Sequence, residues 1–368
     1  MTDTTLSQIA NTGSSDPIIS EAHQDGTSLM RQLAKHCRLY KGANTKRGLI
    51  QLITTVSAFF ALCVLMLTSF MQEAYGIAFL LILPASGFLV RLFIIQHDCG
   101  HSSFFHSPRV NNWVGRCLSV LTITPYDFWR KAHAMHHAAS GNLNGRGIGS
   151  LDTLTVKEYE ALPKRQRLIY KIYRSPLSQL IVCPVLYIFF VQRFPPSQTW
   201  PLLKEYNSIS FSQSWRSILS LDLALIVCFG ALGALIGWKP LVMCYLPVVI
   251  ITAWIGGWLF FIQHQFENTY WNYDNKWDFH EASVRGSSYY VLPPLLQWFT
   301  GNIGIHHIHH LCPLIPNYKL QSCLDGNASL QGMNRLTLLQ SLKCIRWALW
   351  DEDQKKMVAF SDLKTAHR

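Results

Sequence analysis

Four stretches of this chain are nearly free of charge over the length of a bilayer-spanning helix. Crossing about 30 Å of hydrocarbon takes about 20 largely apolar residues in helical form. Leu49–Met71 and Leu241–Gln263 hold no charged residue, Ala74–Gln96 holds only Arg91, and Ser217–Trp238 holds only Asp222. Arg91 lies close enough to the end of its stretch to snorkel toward water. Composition agrees: 14% of residues are charged, where soluble domains carry roughly 25%. Mean hydropathy is +0.14. An ordinary soluble enzyme is excluded, and so is a disordered chain.

The stretches pair into two hairpins. The link at Met71–Ala74 has no Lys or Arg, and the link at Gly237–Pro240 has only Lys239. The N-terminal arm, the loop from His97 to Arg216 and the C-terminal third are basic. The positive-inside rule therefore places both termini and the central loop in the cytoplasm, and the expected location is a bacterial cytoplasmic membrane. The net charge of +11 then reports sidedness and an anionic membrane surface rather than a nucleic-acid partner. Two further apolar runs, Cys117–Pro125 and Leu180–Val191, are too short to cross, and Pro184 breaks the second; they read as interfacial helices. The expected fold is an all-α integral membrane protein: four transmembrane helices in two hairpins, interfacial helices and a cytoplasmic histidine-rich cap.

Residues 1–28 are polar, lack the apolar core of a signal peptide and read as a disordered arm. Residues 29–325 form the expected main domain and 326–368 a cytoplasmic C-terminal tail. Ten cysteines without a CxxC pair suggest reduced thiols, not a disulfide framework or a zinc site. The glycine-rich Gly141–Gly149 follows no strand and reads as a loop.

The histidines carry the chemistry. Nine of the 15 fall in three clusters: His97 and His101; His133, His136 and His137; and His306, His307, His309 and His310. Residues three and four apart share a helix face, so each cluster aims its imidazoles one way, while His307 points about a quarter-turn aside. His264 stands at the end of the fourth stretch. With four crossings and no fifth, all nine remaining imidazoles reach one side. Had Leu180–Val191 crossed, His137 and His264 would lie on opposite sides. Nine imidazoles exceed the capacity of one metal ion, so a dinuclear site is implied. Imidazole suits Zn, Cu, Fe and Ni. HExxH is absent, and no Glu is followed three residues later by His, as a soluble di-iron bundle would need.

These boxes, written His97-Asp-Cys-Gly-His101, Trp129-Arg-Lys-Ala-His133-Ala-Met-His136-His137 and His306-His-Ile-His309-His310-Leu-Cys-Pro-Leu-Ile-Pro-Asn-Tyr318, resemble those of the membrane fatty acid desaturases and hydroxylases. The resemblance spans about residues 45–325 and is greatest to Δ12/ω6-type acyl-lipid desaturases. It implies two non-haem iron ions bound by His97, His101, His133, His136, His137, His264, His306, His309 and His310. It also implies a lipid-linked acyl substrate, glycerolipid by preference, with O2 consumed and a cis double bond formed. Asp98, Glu267, Asp278 and Asn302 neighbour these histidines in sequence and are the candidates to orient them. No haem-binding His-Pro-Gly-Gly segment or nucleotide fingerprint occurs, so electrons are expected from a separate donor of ferredoxin or cytochrome b5 type. The apolar runs at Cys117–Pro125 and Leu180–Val191 are candidate walls of an acyl tunnel. The same centre would serve a hydroxylase equally. A metal transporter is a remoter reading, because it needs ionisable residues in mid-span, where these stretches have almost none.

Overall fold

The computed structural model describes residues 17–146, 151–194 and 209–364, with side chains from residue 28 onward. Helix α1 is Pro17–Arg38, α2 Thr45–Met71, α3 Tyr75–Gly100, α4 Pro108–Thr122 and α5 Tyr126–Ala139. The short helices α6 (Val156–Ala161), α7 (Lys164–Tyr173) and α8 (Cys183–Phe189) lead to α9 (Phe211–Ile236) and α10 (Trp238–His264). Then come α11 (Phe279–Arg285), β1 (Tyr289–Val291), α12 (Pro294–Phe299), α13 (His306–Leu311) and α14 (Asn317–Asp325). Two-stranded pairings complete the chain: parallel β1 with β2 (Arg335–Thr337), and antiparallel β3 (Leu349–Asp351) with β4 (Lys356–Val358).

Helices α2, α3, α9 and α10 are each 26 or 27 residues long and apolar enough to cross a membrane. The protein is an all-α integral membrane protein, its pairs turning at Glu73, with a φ of 59°, and at Gly237, with a φ of 88°. Each helix outruns its apolar stretch. The first box is the last turn of α3, and His264 ends α10, so the two hairpins themselves deliver three histidines to one end.

The Leu180–Val191 run is not a straight span. It bends by 54° from α7, and the two together are long enough for a broken or re-entrant element. Pro184 seats on Gly257 of α10, where a Cβ would approach it to 2.5 Å. The Cys117–Pro125 run closes α4 at Ile123, whose carbonyl accepts from Gln192 Nε2 at 3.0 Å and Arg193 Nη2 at 2.7 Å. The two short apolar runs are therefore joined.

Two segments near the ends of the described residues pack onto the main domain. Helix α1 is described from Pro17 onward, within the arm expected to lack structure up to residue 28. Met30, Leu33, Ala34 and Cys37 recur at helical spacing and are buried with Ile305, Ile308 and Leu311 of the third box region. Residues 326–364 of the segment expected as a cytoplasmic C-terminal tail pack against the main domain. Cys344, Trp347, Trp350 and Met357 are buried in one cluster with Leu259, Phe261 and Ile262 of α10. Both segments lack long apolar runs, and their amphipathic spacing gains meaning only from the partner surface. The ten cysteines are free thiols. The Gly141–Gly149 loop is described as far as residue 146, and residues 147–149 lie outside the described chain.

Helix α4 positions the second box through one close contact. A Cβ on Gly115 would lie 2.2 Å from the ring of Tyr126, the first residue of α5. Gly115→Val should cost about 1–3 kcal/mol by overpacking and lower the unfolding temperature of the detergent-purified protein. An unchanged transition would show that α4 and α5 do not meet there.

Candidate metal centre

Nine histidine side chains from four helices converge in two groups. His97, His101, His133, His137 and His309 form one; His136, His264, His306 and His310 form the other. Within each group the candidate ligand atoms all lie within 4.8 Å of one another. These are the eight residues picked out by helical spacing together with His264, picked out at the end of the fourth stretch. His307, the neighbour in the doubled histidine, faces away: its Nε2 meets the Leu330 carbonyl at 3.0 Å.

The boxes do not each serve a single point. The first sends both histidines to the five-membered group. The second divides, His133 and His137 to one group and His136 to the other. The third divides the opposite way, His309 to the first group and His306 and His310 to the second. Positions i and i+3 on a helix differ by about 60°, enough to address two points a few ångströms apart.

The nitrogens approach tip to tip. His133 Nε2 is 2.9 Å from His97 Nε2. His137 Nε2 is 3.1 Å from both His133 Nε2 and His309 Nε2. In the second group His264 Nε2 is 3.1 Å from His136 Nε2 and 3.2 Å from His306 Nε2. A neutral imidazole has one N–H and one lone pair, so rings meeting in this number cannot all donate. Ligands about 2.1 Å from one metal ion lie about 3.0 Å apart when at right angles, and these separations match that spacing. The buried Nε2 atoms of His101 and His310 have no hydrogen-bond partner among the described residues. The donor set therefore fits two bound cations of the kind that prefer imidazole.

Burial keeps the rings in the neutral form that binds metal. Seven of the nine are buried outright, among them His310 at 0% exposure. Desolvation, followed by repulsion among neighbouring rings, holds His101, His133, His136, His137, His306, His309 and His310 well below the ordinary imidazole range. Trp129 stacks on His133 with centroids 4.7 Å apart and planes 12° from parallel.

Of the four orienting candidates, the structure brings one to a ring directly. Asp98 Oδ1 accepts from His97 Nδ1 at 3.1 Å. Its Oδ2 accepts two bonds from Asn317, backbone N–H at 2.6 Å and Nδ2 at 2.8 Å. Asn302 acts at one remove, donating from Nδ2 to the Asn317 carbonyl at 3.2 Å. Glu267 and Asp278 do not reach the rings. Glu267 is exposed, and Asp278 caps α11 by accepting the Glu281 N–H at 2.9 Å. Closeness in sequence misleads there, because the chain leaves the end of α10 and turns outward.

Sequence reasoning missed Asn317 and Gly286. The Gly286 carbonyl faces His264 Nδ1 at 3.3 Å, so each group has one ring fixed through Nδ1. A backbone carbonyl leaves no trace in residue type. Asn317 stood within the third motif, but its role depends on α14 folding back onto α3.

Residues 73–338 match the family model described as fatty acid desaturase. The chain is 39% identical over 334 residues to a fatty acid desaturase of Bacillus subtilis strain 168, covering 91% of this chain and 92% of that one. It is 27% identical over 247 residues to the sn-1 acyl-lipid omega-3 desaturase (ferredoxin) of Synechocystis, covering 66% of this chain and 64% of that one. It is likewise 27% identical over 237 residues to the acyl-lipid omega-3 desaturase (cytochrome b5), endoplasmic reticulum, of Arabidopsis thaliana, covering 62% and 58%.

Adjacent histidines give a sharp test. His306→Ala should lower bound metal measured by elemental analysis, whereas His307→Ala should keep the metal and lose only stability; the reverse result would misplace the third box. Asp98→Ala should weaken metal affinity about 10–100-fold, read by competition with a chelator.

Proposed function

This chain belongs to the fatty acid desaturase family, and from that premise we propose a Δ12/ω6-type acyl-lipid desaturase with two non-haem iron ions. The observation that carries the reading is the division of nine imidazoles, seven of them buried, into two groups at one end of the hairpins. His97, His101, His133, His137 and His309 would hold one ion, and His136, His264, His306 and His310 the other. When bound, the iron pair supplies the O2 activation and oxidising power needed to remove two hydrogens from unactivated methylenes. The overall balance is one CH2–CH2 unit, O2, two electrons and two protons giving cis CH=CH and two waters.

The remaining work belongs to the protein. Asp98 and the Gly286 carbonyl accept hydrogen bonds from Nδ1–H of His97 and His264, directing their Nε2 lone pairs inward. Burial of the rings excludes bulk water, which limits side reactions of a strong oxidant. The joined segments at Cys117–Pro125 and Leu180–Val191 flank the α3–α10 bundle and are proposed walls for the acyl chain. A glycerolipid would keep its ester at the interface while its chain runs between the helices.

The electron donor is proposed to be a separate ferredoxin or cytochrome b5 type protein, as the names of two relatives specify for those proteins. The proposed location is a bacterial cytoplasmic membrane with both termini and the histidine end in the cytoplasm, in accord with the positive-inside rule.

The experiment is expression in a host with simple lipids, iron-replete and with a competent donor, followed by gas chromatography–mass spectrometry of fatty acids. A new diene with its second double bond at Δ12 is expected. A bond at ω3 or Δ9 would overturn the regiochemical assignment. A product heavier by one oxygen would make the enzyme a hydroxylase.

A further inference from the structure

We propose that two short segments outside the four spans, Pro294–Phe299 and Leu338–Leu342, form a paired wedge that enters the lipid on the histidine side of the membrane. The proposal concerns residues that the sequence assigns to cytoplasmic regions, and it stands apart from the reaction catalysed.

The pairing follows from strand direction. β1 and β2 run parallel, with Tyr289 opposite Arg335 and Val291 opposite Thr337. Parallel strands in register release their following residues at the same end. α12 therefore leaves β1 beside the helical turn Leu338–Ser341 that leaves β2. Tyr290 of β1 ties the second turn toward α10, its OH lying 3.2 Å from Ser341 Oγ and accepting from Trp258 Nε1 at 3.3 Å.

The first segment fastens directly to α3, and the second reaches α10 through Tyr290. Phe88 of α3 packs edge-on against Trp298 and Phe299, with centroids 5.7 and 5.3 Å apart. A Cβ on Gly87 would lie 2.8 Å from Phe299. Arg91 lies over the Trp298 ring at 4.1 Å and donates to its carbonyl. At 1.5 Å per residue, Phe88 is about 14 Å from His97 along α3, and Trp258 about 9 Å from His264 along α10. The attachment points are thus on the bilayer side of the histidines.

The outward faces are apolar. Leu339 is 75% exposed and Leu295 66%, with Leu296, Trp298, Leu338 and Leu342 exposed beside them. Clustered apolar exposure marks an interaction site. Two features select lipid as the occupant. The patch is anchored through Phe88 and Trp258, which lie within the helices long and apolar enough to cross a membrane. It is also flanked by the exposed cations Arg335, Lys343 and Arg346, while residues 286–324 and 326–350 contain no Asp or Glu. Apolar tips with cations behind them match an anionic interface.

The test uses the full chain in nanodiscs of phosphatidylcholine and phosphatidylglycerol, with the exposed Cys117 and Cys228 replaced by serine. An environment-sensitive fluorophore is attached at Leu295→Cys, at Leu339→Cys, or at Asp353→Cys in the exposed β3–β4 turn. The proposal predicts blue-shifted emission at 295 and 339, quenched by acyl-chain nitroxides and spared by aqueous iodide, with the opposite at 353. Iodide quenching at 295 or 339 would overturn it. So would protection from both quenchers, which would mean that protein covers the patch.

Discussion

The interaction on which this structure depends is a repulsion that only a cation relieves. Nine imidazoles are gathered at one end of the molecule, and in seven of them the Nε2 atom has another within 2.9–3.2 Å. Buried lone pairs facing one another at these distances are unfavourable in a medium of low dielectric. Bound metal would convert the cluster into its strongest set of contacts, and its binding would then be coupled to completion of the fold. The surrounding apolar packing serves to hold the rings close enough for that coupling to work.

Each part of the fold has a place in that arrangement. The hairpin α2–α3 carries His97 and His101, and the hairpin α9–α10 carries His264. Between them, α5 and α13 contribute rings to both groups, so each group joins one hairpin to these two shared helices. A chain of hydrogen bonds extends outward from the rings. Gln51 of α2 donates to Asn317 Oδ1 at 3.0 Å; Asn317 holds Asp98, and Asp98 holds His97. A buried polar path of this kind, fully bonded, fixes one arrangement of helices more tightly than apolar contacts do. α1 adds a brace from the other side, packing Leu33 and Cys37 in one cluster with Ile308, which lies between the box histidines.

Much of this was legible in the sequence, for identifiable reasons. Spans declare themselves because hydrocarbon tolerates no charge over about 20 residues, a constraint that acts on every position. Helical phase declares which histidines share a face and sets His307 apart. The division of the second and third boxes between two groups is not legible, since a 60° difference on one helix gains meaning only from where the partner helices stand. Glu267 and Asp278 mislead because sequence neighbours of a ligand diverge once a helix ends. The packing of residues 326–364 against α10 is hidden for a related reason: Trp347, Trp350 and Met357 are spaced too irregularly to announce a partner.

The central claim is that the two histidine groups hold a pair of iron ions. X-ray absorption and Mössbauer spectroscopy of the protein purified from iron-replete cells test it most directly. The account predicts about two iron ions per chain, each in a coordination sphere dominated by imidazole nitrogen. A single iron per chain, or coordination dominated by carboxylate oxygen or thiolate sulfur, would contradict it.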